Sequence, residues 1–342
     1  MTDSRRVVLH VGAPKSGTTY LQSRLNRNVE ALAARGVLVP HLASGKRPAT
    51  FVFRAALDVT DVRMNRGRGF SEGHWGRLAA TVGEHEGTAV LSHEAFVRAD
   101  DDAVARIAAD LGHESELHVV YTARDLGRQL VSGWLEGLRN GGARPLSAHL
   151  DRARSGELKL LASFDLPLVL GRWLSHVPAE RVHLVTVPPS ADDPDLLWQR
   201  FCAVSGIDPS WAPEEAKRVN ESVGVPEAQV LLALNAALDG DSRRGRRFHQ
   251  LVRRSVVGAG LAGRDSDRVQ LDPSHRPWVA ELTDQWMAWV RESGVSVTGD
   301  LAELTPPVLD GAWVDPAVAH PGVAEAAGAA LAAVVREAHR RR

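Results

Sequence analysis

Cysteine is almost absent from this chain of 342 residues, since Cys202 is the single one. One cysteine excludes an intramolecular disulfide framework and a zinc site built from several thiolates. Long apolar runs are lacking too: the longest near the C-terminus, residues 326–335, reaches about half of a bilayer span. The segment before the first strand ends in Arg5 and Arg6 and has no small-residue cleavage site after it, so we predict no secretory signal. We therefore expect a soluble, cytoplasmic protein without stable membrane insertion.

An excess of charge of one sign is also missing, because 41 basic residues stand against 42 acidic ones and the net charge is −1. Such a chain has no overall field for nucleic acid, so we expect no nucleic-acid partner. Lysine itself is scarce: only four of the basic residues are lysine and the others are arginine. A lysine inside a motif therefore indicates a place where a compact ammonium group is needed.

Runs typical of buried strands alternate with runs of helical period over the first half of the chain. The strand-like segments are residues 7–11, 37–39, 88–91, 117–121 and 182–187, and the helix-like segments between them are residues 19–36, 100–111, 126–139 and 166–177. This alternation is typical of a parallel sheet with helices on both faces. We predict an α/β three-layer sandwich with a central, mostly parallel sheet.

Strand-like segments fade beyond about residue 190, and helical patterns replace them. These patterns cover residues 194–204, 226–238, 243–257, 277–291 and 319–339. We interpret residues 1–342 as a single α/β domain, in which residues 1–190 form the ligand-binding core and residues 191–342 a mainly helical C-terminal part.

A glycine loop follows the first strand and opens the first helix. Gly12 and Gly17 lie five residues apart, in the sequence Gly-Ala-Pro-Lys-Ser-Gly-Thr-Thr. Such a loop turns its backbone N–H groups inward, where the helix N-terminus adds partial positive charge. The segment therefore predicts a P-loop-like site for a phosphate-like anion.

The lysine of this loop is not where a nucleotide triphosphatase has it. The pattern GxxxxGK[ST] puts lysine after the second glycine, whereas Thr18 holds that position here and Lys15 lies inside the loop. A lysine inside the loop places one cation at the leaving-group end, which suits transfer of a less charged group.

The sequence Pro14-Lys15-Ser16-Gly17-Thr18-Thr19 after a first strand resembles the 5′-phosphosulfate loop of sulfotransferases, the enzymes that use 3′-phosphoadenosine 5′-phosphosulfate (PAPS). The resemblance implies that these six residues bind PAPS, that Lys15 is catalytic, and that no metal is required. A short C-terminal segment, residues 299–304, is similar to a signature of actinobacterial members of the family.

A second motif follows the strand at residues 117–121. Arg124 and Asp125 come directly after this strand, and Ser132 lies eight residues after Arg124 on the next helix. Arginine at the carboxyl end of a strand points to the ligand crevice of an open α/β sheet, and a hydroxyl can join a guanidinium around one phosphate. In the sulfotransferase family this pattern binds the 3′-phosphate of PAPS. Leu126 replaces the proline that many relatives have after the Arg-Asp pair.

The strand at residues 88–91 ends at two candidate bases, His93 and Glu94. Transfer to a hydroxyl benefits from a base within hydrogen-bond reach of the acceptor oxygen, and the family uses histidine or glutamate. Side chains alternate along a strand, so we expect one of the two to face the site. We favour His93, because its ordinary pKa is close to neutrality, and keep Glu94 as the alternative.

The leading hypothesis is thus a sulfotransferase that moves the sulfuryl group from PAPS to a hydroxyl, or as the less favoured option an amine, of a small-molecule, carbohydrate or lipid acceptor, giving PAP. The alternative is a P-loop kinase for a small hydroxylated metabolite, which would need Mg²⁺ and an acidic ligand such as Asp125 or Glu94. A third hypothesis is a non-catalytic protein of the same fold. The arginine run at residues 243–254 is either a solvated helix face or a cover for the 3′-phosphate.

Overall fold

The structure is a computed structural model that describes residues 5–41, 48–62, 69–189, 195–217, 223–243, 245–307 and 312–340. Its strands are β1 (Arg6–Gly12), β2 (Val37–Leu38), β3 (Thr88–Ser92), β4 (Glu116–Ala123), β5 (Val182–Thr186) and β6 (Ser296–Thr298). Its α-helices are α1 (Thr18–Arg27), α2 (Val29–Ala33), α3 (Pro48–Val59), α4 (His74–Gly83), α5 (Asp101–Gly112), α6 (Leu126–Arg139), α7 (Leu146–Arg154), α8 (Leu166–Leu174), α9 (Leu196–Ser205), α10 (Val225–Ala237), α11 (Arg246–Gln250), α12 (Arg276–Ser293) and α13 (Val323–Arg340).

The six strands form one sheet in the order β2-β3-β1-β4-β5-β6, and every neighbouring pair is parallel. Strand β1 lies in the middle and is buried along almost its whole length, as its run of β-branched and apolar residues predicts. The predicted α/β sandwich with a parallel sheet and a helical C-terminal part is confirmed.

The chain divides into two compact units, each made of three segments. Unit 1 comprises Met1–Asp125, Ala162–Arg218 and Leu282–Thr305, and it contains the whole sheet. Unit 2 comprises Leu126–Leu161, Val219–Glu281 and Pro306–Arg342.

Unit 2 is helical and contains a buried carboxylate. Glu227 on α10 is fully buried and accepts hydrogen bonds from the backbone N–H of Gly224 (2.9 Å), Arg264 Nε (3.0 Å) and Ser266 Oγ (2.7 Å). A buried carboxylate is tolerated only when it is paired in this way, so this cluster stabilises the start of α10.

One predicted helix is broken, and the break has a visible cause. The pattern over residues 19–36 predicts a single helix, whereas α1 ends at Arg27 and α2 begins at Val29. Asn28 at the break donates from Nδ2 to the carbonyl of Glu214 (2.8 Å) and accepts from its N–H (2.9 Å). This long-range pairing competes with the local helix, so the prediction of one continuous helix is wrong.

Other elements were not predicted or differ in detail. Strand β6 pairs with β5 through three residues and lacks the apolar run of a buried strand. Helices α3, α4 and α7 were also missed. The segment predicted as one helix over residues 243–257 is the short α11 followed by a π-helical stretch, Leu251–Leu261.

The carboxyl ends of the three central strands meet at one edge of the sheet. Strand β1 runs there into the glycine loop, β3 into His93 and Glu94, and β4 into Arg124 and Asp125. After β1 the chain forms β2 and β3 on one side of β1, and it then forms β4 on the other side. This change of side makes the edge a topological switch point, where ligands of open α/β sheets bind. Within the described residues, we find no helix with the length and apolar character needed to cross a membrane.

Candidate functional site

The glycine loop has a backbone that few residues adopt. Gly12 has φ 124°, Lys15 φ 66° and Gly17 φ 82°. A Cβ on Gly17 would lie 2.3 Å from Cδ2 of Leu197 on α9, so this position requires glycine both for its dihedral angle and for the close packing. A left-handed conformation is unfavourable for lysine, and such residues cluster at functional sites. The fold therefore holds Lys15 in an arrangement that its own backbone disfavours.

Helix α1 presents uncapped N–H groups to this loop. Gly17 is the residue before the helix and makes no side-chain capping bond, and the first turn contains no acidic residue. The first N–H groups of a helix lack intrahelical partners and attract anions. The loop and the helix start together are suited to hold an oxyanion.

The loop is tied to the end of β4 by a buried hydroxyl pair. Ser16 Oγ lies 2.6 Å from Oγ1 of Thr122 and donates to the carbonyl of Ala13 at 2.5 Å, and both hydroxyl-bearing residues are fully buried. The N–H of Ala13 donates to the carbonyl of Thr122 (2.9 Å), and the Thr122 hydroxyl oxygen lies 3.1 Å from the carbonyl oxygen of Gly12. The Ser16 side chain therefore holds the loop in shape, and its contribution to a ligand would come from the backbone.

His10 extends this network towards β3. Its Nε2 lies 3.2 Å from Thr122 Oγ1 and its Nδ1 lies 2.8 Å from Ser92 Oγ. Complete burial lowers the pKa of His10 to about 4, although the nearby Glu94 carboxylate opposes the shift. The ring is therefore neutral at physiological pH, and the interpretation of His10 as a hydrogen-bonded core histidine is confirmed.

The remaining loop residues differ in exposure. Pro14 and Lys15 are half-buried, Thr18 is 4% exposed, and Thr19 is exposed. Thr19 at the start of α1 therefore has a hydroxyl that solvent or a ligand can reach. Thr18, which stands in the position of the triphosphatase lysine, faces the protein interior.

His93 is fixed by its neighbours. Its Nδ1 accepts a hydrogen bond from the N–H of Ala95 (3.0 Å), so the neutral ring carries its proton on Nε2. Its ring stacks on that of Phe53, with the centroids 4.7 Å apart. Burial lowers the pKa of His93, with a smaller opposing effect of the Glu94 carboxylate. At neutral pH Nε2 therefore carries the proton, and it is a donor and not a base.

Glu94 has the opposite character. Burial by itself raises the pKa of Glu94, but the charge of His93 and hydrogen bonds, among them one from Gln22, together lower it. Gln22 on α1 donates from Nε2 to Oε2 of Glu94 at 2.9 Å. The Glu94 side chain is 35% exposed. The carboxylate is therefore ionised, oriented from the helix that carries the glycine loop, and accessible.

Arg124 follows β4 and lies at the same sheet edge. Its side chain is 30% exposed, and Nε lies 4.0 Å from Oδ2 of the buried Asp125. Lys15, His93, Glu94 and Arg124 thus all belong to unit 1 and follow adjacent strands.

Two further predicted features lie in unit 2. Ser132 is half-buried on α6. In the arginine run, Arg243 donates to the carbonyl of Gly141 (3.2 Å) and Arg253 pairs with Glu136, both within unit 2. Arg244 lies outside the described residues.

Sequence reasoning missed Gln22, Thr122 and Phe53. Gln22 lies four residues after Thr18, which places it on the same face of α1 one turn further on. That spacing could have indicated Gln22. Nothing local marks Thr122 or Phe53, since their partners are 106 and 40 residues away in the sequence.

In the part of the chain that the structure describes, no group of three or more histidine, cysteine, aspartate or glutamate residues is arranged to hold a metal ion. Comparisons with protein-family models, with curated proteins and with solved structures found no match to this chain.

Proposed function

We propose that this protein is a sulfotransferase that uses PAPS to sulfate a hydroxyl group. The observation that carries the proposal is the position of the loop cation: Lys15 lies within the loop at φ 66°, while position 18 is a buried threonine. A triphosphate site needs a lysine directly after the second glycine, where it reaches the terminal phosphates. A phosphosulfate needs positive charge at the oxygen that bridges phosphorus and sulfur, which a cation inside the loop can supply.

In the proposed reaction the acceptor oxygen attacks sulfur in line with the bridging oxygen. The oxygen–sulfur bond to the acceptor forms, the bond from sulfur to the bridging oxygen breaks, and the acceptor proton passes to a base. The product PAP leaves with the additional negative charge on its phosphate. Lys15 and the N–H groups of the loop and of α1 stabilise that charge, and the Thr19 hydroxyl donates to the same phosphate.

We assign the base to Glu94, although the sequence favoured His93. The lone pair of His93 is taken by the N–H of Ala95, and its second nitrogen carries the proton. The Glu94 carboxylate is ionised and accessible, and Gln22 orients it from the loop-bearing helix. His93 Nε2–H would then donate a hydrogen bond to the acceptor and help to orient it.

Arg124 is the proposed ligand of the 3′-phosphate. Arg124 directly follows β4, at the sheet edge where the glycine loop lies. There it would distinguish PAPS from ATP, because ATP has a hydroxyl in place of the 3′-phosphate. The role of Ser132 is a prediction from its spacing to Arg124 in the sequence.

The proposal is tested by isothermal titration of PAP and of ATP with Mg²⁺ into the full chain. We expect PAP to bind, and Lys15→Ala and Arg124→Ala to weaken it at least about tenfold each, as loss of a charge-assisted hydrogen bond implies. Arg98→Ala, which removes an exposed arginine beyond the β3 end, is the matched control and should leave PAP affinity unchanged.

Two outcomes would contradict the proposal. Binding of ATP with Mg²⁺ and none of PAP would favour a kinase. Unchanged PAP binding in both alanine variants would remove the assigned site. Sulfate transfer from labelled PAPS should also persist in EDTA, because Lys15 supplies the positive charge at the leaving oxygen.

A further inference from the structure

A wall of aromatic rings lies beside the proposed base. Phe53 on α3 stacks on His93 at a centroid distance of 4.7 Å and an interplanar angle of 24°. Phe70 meets the Phe53 ring edge-on, with the centroids 6.3 Å apart. Both phenylalanines are only half-buried, so part of each ring is accessible. A flat apolar group next to His93 and Glu94 would therefore contact these rings.

The guanidinium of Arg54 lies next to the Phe70 ring. The Cζ atom of Arg54, the residue after Phe53, lies 4.4 Å from the centroid of the Phe70 ring. Its NH1 donates to Nε2 of His74 at 3.4 Å, and its buried Nε has no hydrogen-bond partner among the residues that the structure describes. Among the described residues, no carboxylate forms an ion pair with Arg54. A guanidinium has five N–H donors, and among the described residues Arg54 has a partner for one of them, the His74 ring.

His74 holds Arg54 in this position. Its ring is 6% exposed, and its Nδ1 lies 2.9 Å from the carbonyl oxygen of Ser71, so Nδ1 donates and Nε2 accepts from Arg54. The contact to His74 and the stacking on Phe70 orient the guanidinium before any ligand arrives.

We infer that Phe53, Phe70 and Arg54 select the acceptor, and that it is a hydroxylated aromatic compound that also carries a carboxylate or a similar oxyanion. This inference rests on the proposed function. The aromatic ring of the acceptor packs against Phe53 and Phe70, its anionic group receives N–H donors from Arg54, and its hydroxyl lies at Glu94. Arg54 is the specificity-determining residue, because a planar guanidinium binds an oxyanion through two parallel hydrogen bonds.

The test uses a pair of probes that differ only in the anion, 4-hydroxybenzoate and its methyl ester. Each is titrated into the full chain, with and without saturating PAP, and each is offered as an acceptor with labelled PAPS. In the wild-type protein we expect the acid to bind at least about tenfold more tightly than the ester, as a charge-assisted bidentate contact implies. The Arg54→Gln variant should bind the two probes equally, and Arg54→Lys should retain part of the preference.

The matched control is Arg77→Gln. Arg77 is an exposed arginine on α4, and its NH2 lies 3.4 Å from Nε2 of His74, the nitrogen that also accepts from Arg54. Of these two arginines, Arg54 is the one that lies over the Phe70 ring. This variant should keep the preference for the acid. The PAP affinity of Arg54→Gln should equal that of the wild-type protein, which shows that unit 1 is folded.

Each contrary result has one meaning. Any of three results overturns the acceptor inference: equal affinities of the two probes in the wild-type protein, a preference that survives in Arg54→Gln, or no binding of either probe. PAP binding in the same titrations then leaves the proposed function intact. Absence of PAP binding, with the preference for the acid retained, overturns the proposed function and leaves an anion-selective aromatic site.

Discussion

The hydroxyl oxygens of Ser16 and Thr122 lie 2.6 Å apart in the interior, although the two residues are 106 positions apart in the sequence. This contact joins the glycine loop after β1 to the carboxyl end of β4. Through His10, the same network reaches Ser92, the residue before the two candidate bases. The glycine loop and the segment that carries His93 and Glu94 are therefore held by one set of buried hydrogen bonds.

Ser16→Ala should weaken both the fold and the ligand site. The substitution removes one partner of Thr122 and of the Ala13 carbonyl, so we expect the free energy of unfolding to fall by about 1–3 kcal/mol, as for a buried hydrogen bond left incomplete. PAP affinity should fall as well, because the loop loses its anchor. Urea unfolding and titration of PAP measure the two effects.

The exposed Thr19 provides the comparison. Thr19→Ala should lower PAP affinity and leave the unfolding free energy within about 0.5 kcal/mol of the wild-type value, as for other surface substitutions. Equal stability of the Ser16→Ala and wild-type proteins would show that the buried hydroxyl pair does not hold the loop.

Lys15→Arg should lose most of the sulfate transfer while keeping the charge. The larger, planar guanidinium cannot occupy the place of a compact ammonium group beside one bridging oxygen. The rate of transfer from PAPS measures this effect. A wild-type rate in the arginine variant would contradict the role given to the ammonium group.

Lys15→Gly tests the role of the Lys15 charge separately from that of its backbone conformation. Glycine adopts φ 66° without the cost that lysine bears there. We expect the unfolding free energy to stay within about 1 kcal/mol of the wild-type value, because relief at this position offsets the greater freedom of glycine in the unfolded chain. PAP binding should nevertheless be lost.

The pH dependence of transfer distinguishes Glu94 from His93. The pKa of each lies below its ordinary value, 4.5 for the glutamate and 6.5 for the histidine. If Glu94 is the base, its reactive form persists as pH falls past 6.5, and the rate declines only below 4.5, as the carboxylate takes up a proton. Glu94→Gln should abolish transfer with PAP binding intact.

His93→Gln gives the other half of this test. We expect it to keep the flat profile with a reduced rate, since it loses a donor to the acceptor and a stacking partner of Phe53. A decline of the wild-type rate that begins above pH 4.5 and disappears in this variant would assign the base to His93.

Glu303 should make the free energy of unfolding depend on pH in the acidic range. Two hydrogen bonds from Arg200, at 2.6 and 2.9 Å, and one from Thr186 lower the pKa of this carboxyl, against the effect of burial. A lowered pKa contributes stability that is present above the unfolded value of 4.5 and lost as pH falls through the folded value. At neutral pH, Glu303→Gln should reduce the unfolding free energy by about 1–3 kcal/mol, as for hydrogen bonds to charged groups.

The difference between wild type and Glu303→Gln should be constant above pH 4.5 and shrink below it, as urea unfolding at a series of pH values will show. Glu30→Gln, at an exposed position of α2, is the control and should give a small difference at every pH. A wild-type advantage over Glu303→Gln that grew on acidification would have the wrong sign for this cluster.

Residues 299–304 show how far a sequence pattern reaches. Their sequence does not say what they do. In the structure Gly299 allows close approach to Thr186 and Arg200, and Glu303 completes the ion pair at the end of β5. The segment thus ties β6 and its following turn to the central sheet, which only long-range contacts could reveal.

Local sequence patterns were enough to predict the parallel sheet, the glycine loop with Lys15, and the strand ends that carry Arg124 and the pair His93 and Glu94. Local patterns suffice for these features, because strand periodicity and glycine spacing act over a few residues. The roles of His93 as a donor and of Glu94 as an ionised, oriented carboxylate became visible in the folded protein. The tertiary structure also decided that Phe53, Phe70 and Arg54 form one wall. Tautomer, burial and stacking depend on residues that are distant in the sequence and that folding alone brings together.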